Sequence, residues 1–128
     1  RDAIARLETM TLMTGMDLPI KNIRQQIASA VDVIVQQTRL QDGSRKVTFV
    51  TEVAGMEGDT VVMTDIFRFN QTGVAPDGTV NGELISTGIR PLFMKRLEKA
   101  GFKLGASIFL QTSSLNSAAI RTDRRRRR

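Results

Sequence analysis

The chain has 128 residues, 41% of them hydrophobic and 25% charged, with no Cys, His, Trp or Tyr, which is the composition of one globular domain rather than of a fibrous or wholly disordered chain. Without cysteine there are no disulfides, thiolate metal sites or thiol nucleophiles, and without histidine the usual general base near neutral pH and the commonest metal ligand are missing, so Ser-His-Asp and Cys-His chemistry are excluded. The formal charge of +6 is concentrated at one end: Arg121 to Arg128 hold six Arg and one Asp, which leaves 13 basic and 12 acidic residues in positions 1–120.

In chain order, Ile4, Leu7, Met10 and Thr11 fall near helical spacing and predict a first helix over Asp2 to Met13, stopped at Gly15. Asp17 followed by Pro19 reads as an N-cap with a Pro in the first turn of a second helix, where Ile20, Ile23, Ile27 and Ala30 form the apolar stripe and Lys21, Arg24, Gln25 and Ser29 fall away from it. The β-branched cluster Val31, Val33, Ile34 and Val35 predicts a buried strand over Val31 to Leu40. Asp42-Gly43 suits a hairpin turn, and Lys46 to Ala54 alternates, with Val47, Phe49, Thr51 and Val53 on one face and Thr48, Val50 and Glu52 on the other. A turn at residues 56–59 leads to a third strand over Thr60 to Phe69, completing an antiparallel meander.

Beyond the meander, Gln71 to Gly82 reads as a polar stretch turning at Pro76-Asp77-Gly78, followed by a short strand over Glu83 to Thr87. A last helix is predicted from Pro91 to Gly101, with Phe93, Leu97 and Ala100 on its inner face, and then a short apolar stretch over Leu104 to Leu110. From Gln111 the composition turns to Ser, Asn, Thr and finally Arg, so residues 1–110 read as the folded unit and 111–128 as a disordered tail. Helices first, a meander afterwards and a final helix define an α+β chain. No apolar run approaches the ~18–20 residues that span a bilayer, which predicts a cytoplasmic protein. The opening at Arg1, directly on a helical pattern, predicts a piece of a longer chain.

The chemistry in reach of these residues is limited. No Gly-rich turn ends in Lys-Ser or Lys-Thr, so no phosphate-binding loop is legible, and Gly55 to Gly58 and Gly73 to Gly78 read as turn glycines. Asp65 on the third strand resembles a strand-borne magnesium carboxylate but lacks the loop such a residue works with, and reads as surface-facing. Glu52, Glu57 and Asp59 could form a metal cluster or an acid–base pair, though their places at a strand end and a turn fit solvation and turn-capping better. Arg39, Arg45 and Arg68 on or beside the meander are candidates to reach a phosphate on a neighbouring subunit. Arg124, Arg125, Arg126, Arg127 and Arg128 would hold a polyanion weakly and without sequence preference, the behaviour of a small basic adaptor for nucleic acid or acidic surfaces. No aromatic interleaves with them as a stacking platform, so no specific nucleic acid is expected.

Five stretches carry a resemblance: ARLETMTLMTGMDLP (5–19), IRQQIASAVDVIV (23–35), RLQDGSRKVTFVTEVAGMEGD (39–59), DIFRFNQTGV (65–74) and TGIRPLFMKRLEKAGFKL (87–104). In order and spacing they resemble the C-terminal half of the CpaF/TadA-type ATPases, the tight-adherence (Flp) pilus branch of the type II/IV secretion system ATPases. The resemblance covers about residues 2–110 and ends after Phe109. It implies the C-terminal part of a RecA-like α/β P-loop domain, assembled as a homohexamer whose ATP turnover drives pilin assembly or protein export. Such a motor works in the cytoplasm, peripheral to the bacterial inner membrane, against an inner-membrane platform protein. ATP and magnesium are implied for the full-length family member and no cofactor for these residues, because the family's phosphate loop, acidic carboxylates and histidine box would precede residue 1. The resemblance therefore implies no catalytic residue and no metal ligand here, and no ATP hydrolysis by this chain alone. It adds the turn Gly55, Met56, Glu57, Gly58 and Asp59 as a candidate inter-subunit contact, and the truncated core predicts exposed apolar surface on the first two helices.

Overall fold

The computed structural model describes residues 2–110, so the tail over 111–128, including the candidate polyanion contacts Arg124 to Arg128, lies outside the described residues. The elements are α1 (Asp2–Leu12), α2 (Ile20–Ala30), β1 (Val33–Arg39), β2 (Arg45–Glu57), β3 (Thr60–Val74), β4 (Val80–Ser86), α3 (Met94–Lys99) and a 3-10 turn, Ala106–Phe109. The described residues are α+β: three helices and a four-stranded antiparallel sheet in the order β1-β2-β3-β4.

Neighbouring residues of β2 point to opposite faces of the sheet, and Val53 and Glu52 show what lies on each. Val53 packs with Ile4, Ile23, Ile27 and Val61 under α1 and α2. The Glu52 carboxylate instead accepts the backbone N–H groups of Leu92 (3.0 Å) and Phe93 (2.8 Å), on the far side. There the segment from Thr87 to Leu110 crosses the sheet as a strap, with Met94 and Phe109 buried against Ile66 and the Phe67 and Phe109 rings 6.0 Å apart. The sheet thus carries a core on each face.

Two hairpins use one device. Leu40 and Ala75 each open a three-residue loop closed by N–H donation from Gly43 and Gly78 to their carbonyls (both 2.9 Å), with those glycines at φ +83° and +88°. Such loops need a left-handed residue in third place. Asp42 and Asp77 brace them by accepting the N–H groups of Ser44 (2.9 Å) and Thr79 (3.0 Å). The second Asp42 oxygen accepts the Val80 N–H at 2.8 Å, which ties the first hairpin to the start of β4. The Ser44 hydroxyl, then the Val80 and Ser44 N–H groups, lower the Asp42 carboxyl to about 2, and the Thr79 N–H lowers Asp77 in the same direction. A depressed folded-state value means the stabilisation is full above the ordinary carboxylate value of about 3.9 and fades as pH falls through about 2. The thermal midpoints of the wild type and Asp42→Asn are accordingly expected to differ at neutral pH and to converge on acidification from about pH 4 to pH 2.

Several sequence expectations need correction. The stretch over Val31 to Leu40 is not a buried strand: β1 is an edge, paired on one side only, and Val35 is 60% exposed. Its branched residues serve β-propensity more than burial. Burial does not divide the two faces of β2: Thr48 and Glu52 are buried on one and Val53 on the other, while Val47 and Phe49 are exposed. Register shifts between Gln36/Gln37, Val50/Thr51 and Val53/Gly55 interrupt the pairing of β2 with its neighbours. Asp17 does not cap α2, whose N-cap is Pro19 with no side-chain bond. Residues 71–82 are not a plain polar stretch: β3 runs on to Val74 and pairs with β4 from Val80. The last helix is shorter than Pro91 to Gly101, and Ala100 is exposed.

Gly82 pairs with Gln71 beside the irregularity in the β3–β4 ladder, and a Cβ there would stand 2.5 Å from both the Asn70 carbonyl oxygen and the Phe69 ring. The backbone atom cannot rotate away. Gly82→Ala is expected to cost about 1–3 kcal/mol, read as a lower denaturation midpoint with an unchanged m-value.

Candidate functional site

The turn Gly55 to Asp59 is the candidate the fold connects most closely to other elements. Gly55, Met56 and Glu57 end β2, Gly58 (φ +59°) and Asp59 make a two-residue loop, and Thr60 opens β3. A left-handed first loop residue and a right-handed second match a type II′ hairpin. Met56 is partly buried against the α1–α2 core, so it points inward, whereas Glu57, Gly58 and Asp59 are exposed.

Helix α2 holds this turn in place. Arg24 donates through Nε to Glu8 Oε1 on α1 (2.6 Å) and through Nη1 to the Asp59 carbonyl (3.1 Å), and Lys21 Nζ lies 3.4 Å from Asp59 Oδ1. The Glu8 hydrogen bond, and then its charge, raise the Arg24 guanidinium further above its ordinary value. Arg24 is thus drawn onto the α1–α2 seam although its place off the apolar stripe predicted a solvated side chain. Beside this lock is an open cleft of about 510 Å³ lined by Ile4, Ala5, Glu8, Arg24, Thr60 and Met63, among others.

The three candidate arginines are only partly brought together. Arg39 and Arg45 are direct cross-strand partners at the end of the β1–β2 hairpin, and like charges so placed repel. Arg68 stands opposite Phe49, four residues along β2 from Arg45 and roughly 13 Å away by strand rise. Arg39 and Arg45 thus stand side by side at one end of the sheet, with Arg68 set further along it.

The acidic candidates do not assemble. Among the described residues no group of three Asp or Glu side chains is placed to hold a metal ion. Asp65 is exposed and accepts the Thr51 hydroxyl at 2.7 Å, as the surface-facing reading expected. Glu52 is neither solvated nor a turn cap of the β2–β3 hairpin: it is 4% exposed and caps the strap. Its legible signal was a lone carboxylate in the interior of a β-branched strand.

A second cleft, of about 430 Å³, lies where the start of α1 meets the sheet and is lined by Asp2, Ile34, Gln36, Phe49, Thr51 and Asp65, among others. Two carboxylates there oppose a triphosphate, and the Glu8–Arg24 pair in the first cleft is already self-satisfied. Neither of these two clefts, among the described residues, presents a phosphate cradle for ATP with magnesium. No protein-family model and no curated protein matches the chain. No helix among the described residues is long and apolar enough to cross a membrane.

Proposed function

We propose that residues 2–110 are the C-terminal part of a CpaF/TadA-type secretion ATPase, a portion of a RecA-like core. It supports the nucleotide site and contacts neighbouring subunits of a hexamer while the phosphate loop, its lysine and the magnesium carboxylates come from outside these 128 residues. The observation that carries the reading is the set of five segments in family order from residue 5 to residue 104, which together span α1, α2, most of the meander and the strap. Exposed apolar surface supports it: Met10, Leu12, Met13, Met16 and Ile20 face solvent along α1, the following loop and the start of α2, with Met13 80% exposed. A missing part of the core or a neighbouring subunit would cover such a face.

In this reading the chain contributes positioning, not chemistry. The Asp59–Arg24–Glu8 lock holds the β2–β3 turn rigidly against α2 for contact with a neighbour, and the full motor acts on pilin or export substrates through an inner-membrane platform. Phosphoryl transfer depends on a phosphate cradle and a metal, which in this reading come from outside these 128 residues. Calorimetry with an ATP analogue and magnesium is expected to show no binding by the 128-residue chain. Adding the N-terminal half of a family ATPase, with its phosphate loop, is expected to restore magnesium-dependent hydrolysis. Micromolar nucleotide binding by the chain alone, surviving removal of 111–128, would overturn the reading, as would a stable two-part complex without hydrolysis.

A further inference from the structure

Charge is divided sharply along the described residues. Positions 2–88 hold seven basic and eleven acidic side chains, whereas positions 89–110 hold five basic and one acidic. The second group belongs to the strap, which is pinned at both ends, by Glu52 at the Leu92 and Phe93 amides and by burial of Phe109 beside Ile66 and Met94.

At and between these anchors the strap leaves apolar side chains exposed. Leu92 is 64% and Phe102 62% exposed, and Leu104, Ile108 and Leu110 are exposed as well. Phe102 is the most telling of them. Helix α3 ends in a Schellman motif, with Phe102 N–H donating to Leu97 O (2.9 Å) and Gly101 N–H to Glu98 O (3.1 Å). The residue in the Phe102 position commonly folds its apolar side chain back on the helix, yet Leu97 packs into the Ile66 core and Phe102 is left in water. Of the five cations, Arg90 and Arg96 pair with Glu98 and Asp32. Lys95, Lys99 and Lys103 are exposed and form no ion pair with the described residues.

We propose that this strap is a docking surface for an anionic lipid bilayer: Leu92, Phe102, Leu104, Ile108 and Leu110 enter the headgroup–acyl boundary while Lys95, Lys99 and Lys103 meet headgroup phosphates. Apolar side chains beside lysines on a rigid support are the chemistry of interfacial attachment. The charge selects acidic over neutral lipid, because each lysine near such a surface adds attraction that zwitterionic headgroups do not supply. A nucleic acid fits less well, since four of the five apolar side chains are aliphatic and offer bases neither a stacking face nor a hydrogen bond. Docking requires no nucleotide, and its test is separate from that of the ATPase reading.

The 128-residue chain would be sedimented with phosphatidylcholine vesicles, with and without phosphatidylglycerol. Binding is expected at least about ten-fold tighter with the acidic lipid. Phe102→Ser and Leu104→Ser are each expected to weaken it about ten-fold at unchanged charge, with the thermal midpoint unmoved because both side chains are exposed. A variant with Arg124 to Arg128 replaced by Gln should retain binding that still depends on Phe102 and Leu104. Absence of binding, equal binding to both vesicles, indifference to the two Ser substitutions, loss of all binding in the Gln variant, or equally tight binding to duplex DNA weakened by the same substitutions would each overturn the proposal.

Discussion

Replacing Glu52 with alanine is expected to cost about 3 kcal/mol and to release the strap before the rest of the sheet. The carboxylate is 4% exposed and accepts two backbone amides, from Leu92 and Phe93. Hydrogen bonds to a charged group each contribute about 1.5–3 kcal/mol, and their donors would be left at a partly buried strap with no replacement acceptor. Glu52→Gln would retain one acceptor but bring an amide N–H against a backbone N–H, so it should fall between alanine and the wild type. Nearby, the Asp32–Arg96 pair at 2.6 Å is exposed on both sides and adds at most about 1 kcal/mol. The decisive readout is hydrogen exchange: amides of Leu92, Phe93 and the α3 turn should lose protection in Glu52→Ala, while those of β2 paired with β3 keep theirs. A uniform loss across the sheet, or a change under about 1 kcal/mol, would show that Glu52 is not the clasp.

The helices were legible because their signals are local. Ile23 and Ile27 mark the buried stripe of α2, and both are in the core. The Asp-Gly pairs at 42–43 and 77–78 also speak locally, since the loop needs its own left-handed residue and its own brace. What failed depended on neighbours that no short window contains. Val33 and Val35 read as a buried strand, but burial follows strand order, and β1 lies at the edge. Alternation along β2 placed Val53 and Glu52 on opposite faces, as they are, but the register shifts are properties of pairing with β1 and β3 and leave no mark in the composition of β2.

The candidate site was legible to a smaller degree. The glycine at 58 announced a turn, and the turn is there, yet its tie to α2 rests on Arg24, which helical periodicity had assigned to solvent. Sequence spacing could bring Arg39 and Arg45 near each other through the Asp42-Gly43 hairpin, but only the register places Arg68 opposite Phe49, away from them. Glu52 was visible as an acid inside a strand and was assigned to water. The amides that hold it belong to residues forty and more positions later, so the reason for its burial lies in tertiary structure.

The two-core architecture makes a second large prediction. Ile66 and Ile23 are each 1% exposed, in separate clusters on opposite faces of the sheet. Truncating either to alanine removes three carbons from a site enclosed by the sheet on one side, and each is expected to cost about 3–4 kcal/mol. The consequences should differ in place. Ile66→Ala strips contacts from Met94 and Phe109 and should expose the strap, whereas Ile23→Ala should loosen α1 and α2 and leave α3 protected. Because the sheet separates the clusters, the milder Ile23→Val and Ile66→Val should add within about 0.5 kcal/mol in the double variant, measured by denaturant unfolding. A coupling well above that would mean the sheet transmits strain between its faces, and the strap would then report on the α1–α2 side instead of acting as an independent cover.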